Sequence, residues 1–137
     1  VVVVVVVDVD DDGNLEIVCY ASGKDANSPG VYCLSGNNGN IEWSQTNYYS
    51  PYHGWCGIED IDDNGIDEVV YSPWLDTICT LNGENGQIID TNGMGEISTV
   101  PVIADILGDS KSELILNIDY LKCYTHDLTL LWQHGGN

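Results

Sequence analysis

Two short acidic segments carry the residues best suited to chemistry. In the first, Asp8, Asp10 and Asp12 occupy loop positions 1, 3 and 5, with Gly13 at 6, Asn14 at 7 and Glu16 at 9. In the second, Asp60, Asp62, Asn64, Gly65, Ile66 and Glu68 repeat that spacing. Side-chain oxygens at alternate positions, a glycine that turns the chain and an acid three residues later gather hard ligands around one point, with the position-7 carbonyl free to join them. Hard oxygens in that number select calcium, whereas zinc would call for His or Cys. An EF-hand begins alike but requires Glu at position 12 and two flanking helices. Cys19 and Tyr71 stand at position 12, so that reading fails.

A third segment, Asp105 to Glu113, is degenerate. Asp105, Asp109 and Glu113 keep their places, but Leu107 replaces the position-3 acid, Ser110 replaces the glycine, and Lys111 brings a positive charge of its own. Two nearly complete copies are therefore expected to bind calcium, and the third is expected to contribute little. An acidic turn that served only solubility would not need the same spacing twice.

These loops need strands to hold them. Each copy follows an apolar stretch (Val4 to Val7, Gly57-Ile58, Val102 to Ala104) and precedes a β-rich one (Glu16 to Tyr20, Glu68 to Tyr71, Glu113 to Leu116), the pattern of two strands joined by an acidic hairpin loop. A second hairpin follows in each unit. It is clearest where Gly36-Asn-Asn-Gly39 and Gly83-Glu-Asn-Gly86 supply residues that accept positive φ. In the third unit Leu121 to Trp132 keeps the strands and the closing Trp but loses the glycines. Pro29 and Pro73 fall between hairpins, and no segment has a helical period. Four short strands per unit, in units of roughly 40 to 50 residues, mark β-propeller blades. The expected architecture is all-β, one propeller-type segment over 1–137 with blades near 1–47, 48–97 and 98–137. An immunoglobulin-like sandwich would not explain why one loop chemistry returns three times.

The charge narrows the partners. Twenty-two acids face only Lys24, Lys111 and Lys122 in 137 residues, a net charge of −19, which excludes direct binding to nucleic acid or an anionic membrane. The run Val1 to Val7 is too short to span a bilayer. Seven identical valines and the ending Gly135-Gly136-Asn137 suggest a segment of something larger. Five Cys with few Lys and no CxxC fit a secreted or surface protein. Cys19 and Cys33, on neighbouring strands, are the best-placed disulfide pair, while Cys33 and Cys123 sit at equivalent positions suited to packing between blades. Trp43 and Trp132, also equivalent, are expected in the core. In the connector, Tyr48, Tyr49, Tyr52 and Trp55 form a possible platform for a sugar ring or a protein. His53, His126 and His134 are scattered, and no Ser lies in a GxSxG elbow.

The repeats resemble the FG-GAP and VCBS-type calcium-binding propeller blades of integrin alpha-subunit head domains and many bacterial surface proteins. The resemblance covers nearly the whole chain and rests on Asp-x-Asp-x-Asp/Asn-Gly-x-x-Glu after an apolar strand and on the later GVYCLSG…W hairpin. It implies calcium ligands at Asp8, Asp10, Asp12, Asn14 and Glu16 and at Asp60, Asp62, Asn64, Ile66 and Glu68. The chain has no Phe, so the Phe-Gly tag of that family is absent, as is Gly-Ala-Pro. The expected function is a non-catalytic extracellular calcium-binding module for adhesion, carbohydrate or protein binding, or structural assembly. Rhamnogalacturonan lyases are similar in repeat pattern too, which makes a propeller fragment of a secreted polysaccharide lyase the alternative. Three blades fall short of the four to eight that close a propeller. Further blades or copies of the chain are thus expected to cover the two end faces.

Overall fold

The computed structural model describes residues 3–21, 29–46, 55–74, 77–93, 100–117 and 120–135. Among these, twelve β-strands form and no helix does. The first sheet contains β1 (Val3–Val7), β2 (Glu16–Ala21), β3 (Gly30–Ser35) and β4 (Ile41–Gln45) in chain order. The second contains β5 (Cys56–Glu59), β6 (Glu68–Trp74), β7 (Thr77–Asn82) and β8 (Ile88–Gly93). The third contains β9 (Val102–Ala104), β10 (Glu113–Asn117), β11 (Leu121–Tyr124) and β12 (Leu130–His134). Every pairing is antiparallel, and a register irregularity recurs between the last two strands of each sheet, at Cys33/Leu34, Thr80/Leu81 and Cys123/Tyr124.

The sheets pack face to face because their strands alternate. In β6, Val69 and Tyr71 join Cys79 and Leu81 against Val9, Val18, Tyr20, Val31, Cys33 and Trp43 of the first sheet. Val70, between them in sequence, turns the other way and joins Ile78 against Leu114, Leu116, Tyr124 and Leu128 of the third. The second sheet is thus apolar on both faces. The outer faces of the first and third sheets leave Val4, Val6, Ile41, Val102, Leu121 and Trp132 exposed.

Three expectations are corrected here. Cys19 and Cys33 form no disulfide. Cys19 lies opposite Tyr32 and Cys33 opposite Val18, so the two thiols leave opposite faces of the sheet. Burial, reinforced by the charges of Glu42 and Glu16, pushes the Cys33 thiol up to about 12, a packing group and not a nucleophile. Trp55 is no ligand platform: it is 6 % exposed and packs with Ile61, Val70 and Leu114. Tyr48, Tyr49 and Tyr52 lie outside the described residues. Trp43 is 8 % exposed, as a core residue should be, but its equivalent Trp132 is 40 % exposed, because no sheet among the described residues lies against its face.

Candidate metal centres

Each acidic loop folds around its first Asp. Asp8 accepts the amides of Asp12 and Gly13, each at 3.0 Å, through its two oxygens. Asp60 does the same for Asn64 at 3.0 Å and Gly65 at 2.8 Å. Two residues per loop take positive φ: Asp11 (57°) and Gly13 (88°), then Asp63 (62°) and Gly65 (89°). Glycine accepts that region at no steric cost, and Asp tolerates it better than most residues, which is why the pattern folds as it does.

The turn brings three acids together. Asp8, Asp10 and Glu16 each place a carboxylate oxygen within 4.8 Å of the others, and Asp60, Asp62 and Glu68 do likewise. Glu16 and Glu68, at the starts of β2 and β6, are buried and held by one amide each, from Val9 and Ile61, both at 3.0 Å. In the second loop Glu68 is 1 % exposed, and its Oε1 and Asp62 Oδ1 are buried without a hydrogen-bond partner. An ionised carboxylate in that state is costly unless a cation or a proton joins it. Burial first, and then the charges of Asp62 and Asp60, raises the Glu68 carboxyl to about 7, against the pull of the Ile61 amide. The Asn64 side chain opposes that rise without giving Oε1 a hydrogen bond. Burial raises Glu16 as well, with help from Asp10 and Glu42.

The remaining expected ligands lie around these triads. Asp12 Oδ1 accepts both the backbone amide of Asn14 at 2.8 Å and its side-chain amide at 2.9 Å. Asn64 Oδ1 accepts the amide of Ile66 at 2.8 Å, and Asn14 Oδ1 accepts the Asn37 side chain at 3.4 Å. Asn14 is exposed and Ile66 half-buried.

The third loop follows the same backbone path with other residues. Gly108 and Ser110, both at φ 76°, take the places of Asp11 and Gly13. Although burial would raise Asp105, the amides of Gly108, Ser110 and Asp109 hold its carboxyl below the usual range. One oxygen of Glu113 accepts two amides, Ile106 at 3.0 Å and Leu107 at 3.2 Å. Asp109 Oδ1 accepts the amide of Lys111, whose Nζ lies 3.3 Å from His126 Nε2. Among the described residues no acid triad converges in this loop.

A cavity of about 190 Å³ opens beside the second triad, lined by Asp62, Glu68, Thr80, Asp90, His126 and Asp127 among others. Sequence reasoning gave Asp90 and Asp127 no role and left His126 among the scattered histidines. The signal was Asp90 itself, a charge at the position where the first and third units carry Trp43 and Trp132. No protein-family model matches this chain, and no curated protein matches it significantly. The loops themselves therefore carry the functional argument.

Proposed function

We propose that this chain is a non-catalytic, extracellular calcium-binding module of propeller type, in which two loop-bound ions stabilise the blades for adhesion, ligand binding or assembly. The observation that carries the reading is the Glu68 carboxylate, buried and half unpartnered beside Asp60 and Asp62. Oxygen-only ligands with no His or Cys in either triad favour calcium over transition metals. Support for the propeller arrangement comes from three four-stranded antiparallel sheets stacked face to face, with β1 beside β5. The cavity beside the second loop is acidic, a poor host for the uronic-acid substrate of a polysaccharide lyase. Calorimetric titration of chelator-treated protein tests the proposal. Calcium should bind with a stoichiometry of two and raise the melting temperature, whereas heat at the level of a buffer blank and an unchanged melting temperature would refute it.

A further inference from the structure

We infer that the outer face of the third sheet docks head to tail onto the open face of the first sheet of a second copy, so that two chains close into one ring of six sheets. The contact would repeat a seam the chain already contains twice.

In the seam between the first and second sheets, Val9 is buried against Gly83, and Trp43 donates Nε1 to the Gly83 carbonyl at 2.7 Å. A Cβ on Gly86 would lie 2.5 Å from Trp43 Cε3, so the ring needs a glycine beneath it. Gln45 Nε2 donates to the Gly86 carbonyl at 3.4 Å. In the next seam Ile61 takes the place of Val9, and Asn92 takes that of Gln45, donating to the Leu128 carbonyl at 2.9 Å. Leu128 has φ 61°, matching Gly86 at 69°.

Both halves of a third such seam are present and, among the described residues, uncovered. The third sheet carries the inserting set: Ile106 for Val9, Trp132 for Trp43 and His134 for Gln45, all exposed. The first sheet carries the receiving set. Gly36 and Gly39 stand where Gly83 and Gly86 do, Gly39 has φ 72°, and no atom lies within 4 Å of where its Cβ would be. A hollow of about 400 Å³ adjoins them, lined by Val6, Leu15, Ile17, Gly36 and Asn37 among others. Around it Val4, Val6 and Ile41 are exposed, whereas their equivalents Cys56, Ile58 and Ile88 pack into the core shared with the first sheet.

A second copy is the occupant these observations select, because the third sheet of this chain presents at its surface the same inserting positions that fill the matching slot of the second sheet. The contact is heterologous, so it closes only if rotation allows, and two copies supply six blades, within the four to eight that close. This inference does not depend on the ion reading.

Light scattering and sedimentation of the 137-residue chain at micromolar concentration and physiological ionic strength provide the test, since two chains of charge −19 need screening. The expected particle has twice the 14.9 kDa chain mass. Trp132→Ala and Leu15→Arg should each raise the dissociation constant by roughly thirtyfold, the scale of an interface anchor. Each variant spoils both seams of the ring, but mixing the two variants leaves one seam intact and should restore a dimer. Leu15 is 56 % exposed and Trp132 40 %, hence both variants should keep the β signal in circular dichroism. Ile106→Ser replaces any that does not. A monomer, any other mass, a dimer indifferent to these variants, or a mixture that stays monomeric would each overturn the inference.

Discussion

The second and third acidic loops share a backbone and differ in chemistry. Both wrap backbone amides around a leading Asp, and both place left-handed residues fourth and sixth. Yet Glu68 keeps one oxygen unpartnered beside Asp60 and Asp62, while Glu113 spends one oxygen on two amides and faces Leu107 in place of an acid. The comparison separates two requirements. Folding the loop needs the first Asp and two residues that accept positive φ, whereas gathering charge needs the third-position acid and a Glu that is only partly satisfied. A loop can lose the second and keep the first.

The largest expected effect comes from removing that third-position acid. Asp62→Ala should lower calcium stoichiometry from two to one and, at a hundredfold excess of calcium over its dissociation constant, cancel about 2.7 kcal/mol of ion-linked stability. Thermal melts of both proteins with calcium and with chelator would measure it; equal protection of the two would erase the distinction between the loops.

The reverse exchange should give a smaller gain. Leu107→Asp restores the missing acid at an exposed position, so the fold should tolerate it, and native mass spectrometry should show a third ion only at high calcium. Lys111 and the doubly bonded Glu113 should keep that site weak. An added ion as tight as the other two would mean that position 3 alone decides.

The last effect concerns pH. In metal-free protein the Glu68 carboxyl sits at about 7 against an ordinary 4.5. Its folded-state value is raised, so the stability it contributes is complete below pH 4.5 and lost as pH rises through 7. Burial shifts Glu16 and Asp67 in the same direction. The metal-free melting temperature should therefore fall across that window, less steeply in Glu68→Gln, and calcium should flatten the curve. A rise across the window would show that Glu68 is stabilised as a carboxylate without an ion.

Much of this was readable from residue order. The strands announce themselves as short β-rich apolar runs, as in Glu16–Ala21 and Thr77–Asn82, and the loops through their Asp spacing. Facing was harder, because strand period 2 makes a one-residue error in register flip a side chain to the other face, as happened with Cys19 and Cys33. Equivalence between repeats indicates which face a residue occupies but not whether a neighbour covers that face. That is why Trp43 and Trp132, alike in sequence, end up buried and exposed. Trp55 sat in a connector rich in aromatic residues, and its burial depends on Leu114 and Leu116, far along the chain.

Val9 and Ile61 serve two masters at once. Each lends its amide to the triad glutamate of its loop, and each sinks its side chain into the neighbouring sheet. An ion that fixes the glutamate then also fixes the residue plugged into the adjacent sheet. Linkage is reciprocal: if the loops bind a cation as proposed, whatever tightens the inter-sheet joint would raise affinity for the ion by the same factor, and cation affinity would become a gauge of how well the sheets are seated.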